Sequence, residues 1–218
     1  MSYVRLLILL FALIFLATFV QLGVISIAFE KLGLSQDSAY LLLLVTLAGS
    51  MINLPLFSVA AEAPETEAPR QRLSRLLGLP QAPFLGRTLI AVNVGGALAP
   101  VAFSAYLLLH HPLAPMEVAV AVAVVAAISY LTSAPIPGIG IGMPILVAPL
   151  AAALTAELLD AEQAAPLAYI AGALGVLVGA DLLRLSEVKK LGAPVASIGG
   201  AGTFDGIFLS GLIAVLLA

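Results

Sequence analysis

The chain contains no cysteine, and only 10% of its 218 residues are charged. The absence of cysteine excludes disulfide bonds, iron–sulfur clusters and zinc sites built on thiolates. The scarcity of charge excludes an ordinary soluble domain, in which about a quarter of the residues are charged. The few basic residues lie mainly in two connections, so nothing in the sequence predicts nucleic acid as a partner.

Hydrophobic residues make up 62% of the chain, and the mean hydropathy is +1.17. They form runs of about 20 residues, the length of a transmembrane helix, and not the short alternating stretches of a membrane barrel. We therefore predict an all-α, polytopic membrane protein with a single domain, residues 1–218. The first run follows Arg5 and exceeds the apolar core of a signal peptide, about 7–15 residues, so we interpret it as a retained helix.

Seven apolar segments are predicted to cross the bilayer, at about residues 4–29, 39–60, 88–109, 117–134, 144–159, 166–184 and 199–218. Between the fourth and fifth lies the stretch SAPIPGIGIGMP, residues 133–144, whose prolines and glycines cannot form a regular helix. Two interpretations stay open for this break. It is either a re-entrant or unwound segment that lines a site, or a plain interfacial loop.

Positive charge favours seven crossings over six. With seven, eight of the nine Lys and Arg residues fall on the side of the N-terminus, namely Arg5, Arg70, Arg72, Arg75, Arg87, Arg184, Lys189 and Lys190. Only Lys31 falls on the other side. Because cytoplasmic loops are enriched in Lys and Arg, we predict a cytoplasmic N-terminus and a cytoplasmic loop at residues 61–87.

Two aspartates carry the strongest functional signal. Asp181 and Asp205 are the only two of the 12 acidic residues set inside long apolar stretches, in VGADLLRL and GTFDGIFL. A carboxylate there costs about 2.5–3.5 kcal/mol on insertion scales, which marks it as a functional candidate. Both belong to a predicted helical hairpin, residues 166–218, and they are equidistant from residue 193 in its turn. We therefore expect them at similar depth on the cytoplasmic side.

The same orientation brings other polar and small residues to that side. The predicted substrate or ion site comprises Asp181, Asp205, Asn53, Asn93, Gly202, Thr203, Gly138 and Gly140. Gly175 and Gly179, like Gly202 and Gly206, have the spacing that favours close helix packing. We predict neither a metal ion nor a cofactor, since the adjacent His110 and His111 have only Glu117 as a third ligand nearby.

The C-terminal third, VGADLLRLSEVKKLGAPVASIGGAGTFDGIFLSGLIAVLLA, is similar to the signature of the domain-of-unknown-function 1614 membrane proteins of bacteria and archaea. The similarity is densest over residues 172–218, and the NVGGALAP and PIPGIGIGMP stretches fit more loosely. The resemblance implies a multi-pass protein of a prokaryotic cytoplasmic membrane. The expected partners are the lipid bilayer and, as an open alternative, further copies of the chain in a homo-oligomer.

A more distant likeness is to presenilin-type and prepilin-type intramembrane aspartyl proteases. These place one aspartate on a helix and a second in a Gly-x-Gly-Asp motif on another helix. GALGVLVGADLL, with Asp181, resembles the first, and GTFD, with Asp205, resembles the second. Phe204 stands where the motif has glycine, and no Pro-Ala-Leu motif follows Asp205. The likeness implies that the two aspartates are catalytic.

Three functions are therefore open. In the first, the site binds or moves a proton, a cation or a small solute. In the second, Asp181 and Asp205 form the catalytic pair of an aspartyl protease-like hydrolase. In the third, the protein is structural or regulatory, and Asp181 pairs with Arg184 one turn away. The sequence does not identify a substrate.

Overall fold

The computed structural model describes residues 8, 11, 12, 14, 24–61, 86–136, 140–190, 192–200 and 206–218. Seven α-helices lie within these ranges: α1 (Val24–Lys31), α2 (Gln36–Gly49), α3 (Ala99–His110), α4 (Pro115–Thr132), α5 (Val147–Leu159), α6 (Ala164–Val176) and α7 (Gly206–Leu217). A π-helical turn, Val94–Leu98, precedes α3, and a second one, Leu177–Leu182, continues α6. The chain is mostly helical, as predicted.

The prediction of an all-α fold is wrong, because the chain also forms two small sheets. Strands β1 (Asn53–Ala60), β2 (Arg87–Asn93) and β5 (Val195–Ile198) make a three-stranded sheet in the order β1-β2-β5. β2 pairs antiparallel with β1 and parallel with β5. Strands β3 (Ala134–Ile136) and β4 (Gly140–Gly142) form an antiparallel pair between α4 and α5.

The predicted spans 39–60 and 88–109 are therefore each part helix and part strand. In β2, Thr88, Ile90 and Val92 place β-branched side chains at alternate positions, a pattern that favours a strand. Asn93 then caps the following π-helical turn by accepting a hydrogen bond from the backbone N–H of Gly96. Hydropathy averaged over 20 residues is the same for one long helix as for a shorter helix joined to a strand. For this reason both segments were wrongly predicted as continuous transmembrane helices.

The Pro/Gly stretch interrupts the helices as expected, since α4 ends at Thr132 and α5 begins at Val147. Its ends form the β3–β4 pair, and residues 137–139, which include Gly138, lie outside the described residues. The predicted loop at 61–87 lies almost wholly outside them as well. Its last residue, Arg87, is the first residue of β2.

Contacts between helices establish their directions. Gly175 packs against Val125 and Arg184 contacts Tyr130, so α6 runs parallel to α4, and α5 returns between them. Gly199 contacts Asp181 and Gly211 contacts Tyr169, so α7 runs antiparallel to α6. Each connection joins the end of one helix to the nearby start of the next. All connections therefore lie at one or the other of two ends of the bundle.

We call the end that carries the three-stranded sheet the sheet end. We call the other the loop end, which holds the connections at 31–36, 111–114 and 160–163. At the loop end the ring of His111 lies 3.2 Å from Oε1 of Gln163, and Lys31 donates to the backbone carbonyl of Val215. Residues Asn53, Asn93 and Asp181 all lie at the sheet end.

Two helical segments, Pro115–Thr132 and Ala164–Leu182, are long and apolar enough to cross a membrane by length and composition. They differ in burial. The second has 72% of its residues buried at the centre of the bundle, where Leu167, Tyr169 and Ile170 are fully enclosed. The first has only 22% buried, so most of its apolar surface faces outward.

Candidate functional site

Asp181 lies in the π-helical turn Leu177–Leu182, at the sheet end of the longest buried helix. Its side chain is half-buried, and its Oδ2 accepts a short hydrogen bond of 2.6 Å from the backbone N–H of Gly199. Gly199 and Gly200, which directly follow β5, have φ angles of 81° and 86°. Only glycine adopts these angles without strain, so the sequence Gly-Gly allows the backbone N–H to point at the carboxylate.

The π-helical turn determines which way Asp181 faces. Gly172 of α6 packs against Gly211 of α7, and Asp181 is nine residues further on. Nine residues are about two and a half turns of an α-helix, which would place Asp181 on the side away from α7. A π-helical turn takes up one extra residue and so changes the direction of the carboxylate, which contacts Gly199, the residue after β5. Single π-helical turns of this kind are frequent at functional sites.

Gly199 also packs against the second π-helical turn, Val94–Leu98. A Cβ atom on Gly199 would lie 2.6 Å from the backbone N of Ala97 and 2.6 Å from the backbone C of Gly96. No side chain fits at that separation. One glycine thus connects the Asp181 carboxylate to the start of α3.

Asn93 and Asn53, both predicted site residues, are paired partners across β1 and β2. The amide nitrogen of Asn93 donates to the backbone carbonyl of Ser50 (2.8 Å) and to Oδ1 of Asn53 (3.0 Å). The hydroxyl of Ser197 in β5 donates to the same Oδ1 of Asn53 at 2.5 Å. The two asparagines therefore join all three strands of the sheet. Ser197, the residue of β5 in this network, lies two residues before Gly199.

Asn93 is fully buried, and both N–H groups of its amide are engaged. We therefore expect Asn93→Ala to lower the free energy of unfolding by about 2–3 kcal/mol, because it removes a helix cap and leaves buried partners unsatisfied. Thermal unfolding in detergent measures this loss. Asn93→Asp is the control: it keeps the acceptor for Gly96 but places negative charge against two acceptors, so it should be at least as damaging. A stable Asn93→Ala protein would contradict the assigned role.

Arg184 does not pair with Asp181, contrary to the third functional hypothesis. Its guanidinium group donates to Oε1 of Glu187 (2.8 Å), to Oγ of Ser133 (2.8 Å) and to the backbone carbonyl of Tyr130 (2.5 Å). It also lies 4.5 Å above the ring of Tyr130. Arg184 thereby attaches the segment that follows Asp181 to the end of α4 and the start of the Pro/Gly stretch.

Replacing Arg184 should loosen this attachment. We expect Arg184→Ala to lower the free energy of unfolding by about 2 kcal/mol. Arg184→Lys should recover less than half of this loss, because the compact lysine ammonium lacks the planar, forked guanidinium that reaches the three acceptors at once. Lys189→Ala, an exposed basic residue on the same segment, should leave thermal unfolding unchanged. Equal stability of the Ala and Lys variants of Arg184 with the unmodified protein would refute this.

The other predicted site residues are placed as follows. Gly140 belongs to β4 and pairs with Ile136. Gly202, Thr203 and Asp205 lie outside the described residues, as does Gly138. In the hairpin itself, Gly199 with Asp181 and Gly211 with Tyr169 are each equidistant from residue 190, close to the predicted centre at 193. The pairing of Asp181 with Asp205 stays a prediction.

The Gly-x-x-x-Gly spacing at Gly175 and Gly179 serves close packing, but against α4 and not within the hairpin. A Cβ on Gly179 would lie 2.2 Å from the backbone O of Ala126. The role of Ser197, the contact of Gly199 with Asp181 and the contacts of Arg184 were not predicted from the sequence. The sequence feature that could have indicated the role of Gly199 is the pair Gly199–Gly200 after Val195–Ile198, since paired glycines often adopt positive φ angles.

Among the described residues, no group of three or more His, Asp or Glu side chains is placed to hold a metal ion. His110 and His111 are directed to separate oxygens, the backbone carbonyl of Tyr106 and the side chain of Gln163. The candidate site is therefore built from a carboxylate, backbone amides and side-chain amides.

These features define a mostly helical protein with a carboxylate held at the sheet end of its bundle by backbone and glycine contacts. Residues 47–217 match the family model described as protein of unknown function (DUF1614), and the chain belongs to this family. The match covers β1, β2, β5 and Asp181. The chain matches no curated protein and no solved structure.

Proposed function

We propose that this protein is a membrane-embedded hydrolase of polypeptides that uses Asp181 and Asp205 at the sheet end of its helix bundle. The proposal has two parts, membrane insertion and acid–base chemistry. They are supported by different observations.

Membrane insertion is supported by the outward-facing surface of α4. Its exposed side chains include Met116 (75% exposed) and Leu131 (78%), and Leu109 and Leu158 of the neighbouring helices are 83% and 86% exposed. Met116, Val120 and Val124 are exposed at four-residue spacing and so form an apolar stripe along one face of α4, which a soluble protein rarely exposes. A bilayer covers it without cost, because lipid chains are as apolar as these residues.

The distribution of charge supports the same placement and an orientation. The described charged residues at the loop end are six acids and one base, Glu30, Lys31, Asp37, Glu117, Glu157, Asp160 and Glu162. The described charged residues at the sheet end are three bases, Arg87, Arg184 and Lys189, and two acids, Asp181 and Glu187. By the positive-inside rule the sheet end faces the cytoplasm, with the N-terminus on the same side. We assign the protein to the cytoplasmic membrane of a prokaryote.

The chemistry is carried by one observation: the Asp181 carboxylate is in direct contact with the residue that follows β5. β5 pairs on one side with β2, and within the described residues no strand pairs with its other side. An extended peptide paired with that side of β5 would be bound by backbone hydrogen bonds and would run toward the carboxylate. In the sequence Asp205 directly precedes Gly206, the first residue of α7, and α7 packs against the helix of Asp181.

Two carboxyl groups close together share one proton. In hydrolysis, the ionised group takes a proton from water as the water oxygen bonds to the peptide carbonyl carbon. The protonated group gives its proton to the carbonyl oxygen. The resulting tetrahedral diol then collapses: the carboxyl group that took the proton from water gives it to the amide nitrogen, the C–N bond breaks, and the products are a carboxylic acid and an amine.

A transition-state mimic tests this proposal. We expect a photoreactive peptide with a hydroxyethylene group in place of one peptide bond to label the reconstituted protein, since such mimics bind more tightly than substrates. Labelling should be lost in Asp181→Asn and in Asp205→Asn. Labelling that persists in both variants, or that fails in the unmodified protein, would overturn the hydrolase proposal.

Binding or movement of a proton is the second candidate, and it is favoured by hydroxyl groups inside the bundle. Four buried hydroxyls, those of Thr46, Ser104, Ser129 and Tyr169, make no hydrogen bond within the described part of the chain. Unpaired buried hydroxyls are costly and are suited to holding water. Proton flux in proteoliposomes carrying an internal pH dye tests this function, and tight vesicles under a pH gradient would exclude it.

A further inference from the structure

We propose that β1, together with Met51 and Ile52 just before it, lies in the cytoplasmic membrane interface and contacts lipid directly. The observation is an exposed apolar strand in a chain region without charge. No charged residue occurs from residue 38 to residue 61. This inference rests on the proposed membrane insertion, and it adds a lipid-facing surface that is not helical.

The exposed side chains of this region are large and apolar. Met51 and Ile52 are 39% and 51% exposed, and Leu54, Leu56 and Phe57 are 44%, 54% and 48% exposed. On an edge strand in water, such a row would promote pairing with other chains. Charged side chains are one usual protection of an edge strand, and this strand has none.

The patch is continuous with the outward face of α2. Tyr40, Leu41, Leu44 and Val45 of that helix are 47–61% exposed, and α2 ends at Gly49, two residues before Met51. The lipid contact proposed for the helices therefore continues along the chain onto the strand. This continuity identifies lipid, and not a soluble partner, as the occupant.

The backbone of β1 limits how deep the strand lies. β1 is the outermost strand of the sheet, and its outer edge has no strand partner within the described residues. Unpaired backbone N–H and C=O groups are not tolerated in hydrocarbon, but they can bind water at the interface. Pro55 removes one of these N–H groups, and a bulge at residues 55–57 bends the strand. β1 thus lies at the boundary, with its side chains toward the acyl chains.

Spin labelling tests the proposal, and the absence of cysteine makes single labels unambiguous. Nitroxides at Leu56→Cys and Leu54→Cys are compared with Leu131→Cys as the helical lipid reference and Arg87→Cys as the aqueous reference on the same sheet. Collision with oxygen reports the bilayer, and collision with a water-soluble nickel chelate reports water. We expect both β1 labels to be severalfold more accessible to oxygen, relative to nickel, than Arg87→Cys.

The outcomes separate this inference from membrane insertion itself. If Leu131→Cys reports lipid while both β1 labels match Arg87→Cys, the strand is in water and the inference fails alone. If β1 labels show spin–spin coupling between molecules, a second copy covers the strand and the inference also fails. If Leu131→Cys is as accessible to nickel as Arg87→Cys, both the proposed membrane insertion and the inference about β1 fail.

Discussion

Asp181→Asn is expected to reduce peptide hydrolysis roughly 10²–10⁴-fold, the range for loss of a general acid or base. The fold should survive, because the side-chain oxygen of asparagine can still accept the hydrogen bond that Asp181 accepts from Gly199. The measurement is the appearance of new peptide ends, detected by mass spectrometry, in proteoliposomes that contain a mixture of apolar peptides. Thermal unfolding within a few degrees of the unmodified protein would show that the loss is chemical.

Asp160→Asn provides a matched control. Asp160 also accepts backbone hydrogen bonds, from the N–H groups of Glu162 and Gln163, but at the loop end of the bundle. Its replacement should leave hydrolysis unchanged. Full activity in Asp181→Asn, or an equal loss in Asp160→Asn, would show that Asp181 has no special role. Asp205→Asn should behave as Asp181→Asn, and the double variant should lose no more than either one, because the two acids act as a unit.

Composition was sufficient to predict the mostly helical class, and the run of prolines and glycines was sufficient to predict the break at residues 133–144. The helices α4 to α7 follow from their apolar length. The sheet did not follow, because its strands depend on pairing between residues far apart in sequence, as between Asn53 and Asn93 or Leu89 and Val195. Strand propensity is weak unless such neighbours are known.

The candidate site stays a prediction, but the structure gives the contacts of three of its residues, Asp181, Asn53 and Asn93. Asp181 was found because an acid inside an apolar run is costly, and this holds whatever the fold. Asn53 and Asn93 were expected nearby, but as parts of a substrate or ion site, whereas their described contacts join strands. Gly199 and Arg184 could not be assigned, since their importance depends on which backbone lies beside them. Only tertiary structure supplies that information.

Gly95→Ala should have the largest effect on stability of any conservative change at the sheet end. A Cβ on Gly95 would lie 1.9 Å from the backbone O of Thr46 and 2.3 Å from the backbone N of Ser50. Both atoms belong to the end of α2, so no side-chain rotation can relieve the overlap. We expect a loss of about 3 kcal/mol or more, the upper range for overpacking, measured by thermal unfolding in detergent.

Gly206→Ala is the matched control, because the space around its Cβ position is open. It should leave stability unchanged or raise it by up to about 1 kcal/mol, the helical preference of alanine over glycine. Gly95→Ala should also weaken binding of the hydroxyethylene peptide, since displacing Gly95 moves the Asn93 cap and the π-helical turn on which Gly199 rests. If Gly95→Ala unfolds at the same temperature as Gly206→Ala, α2 does not approach this π-helical turn closely. The series of contacts from α2 through the turn and Gly199 to Asp181 would then be wrong as well.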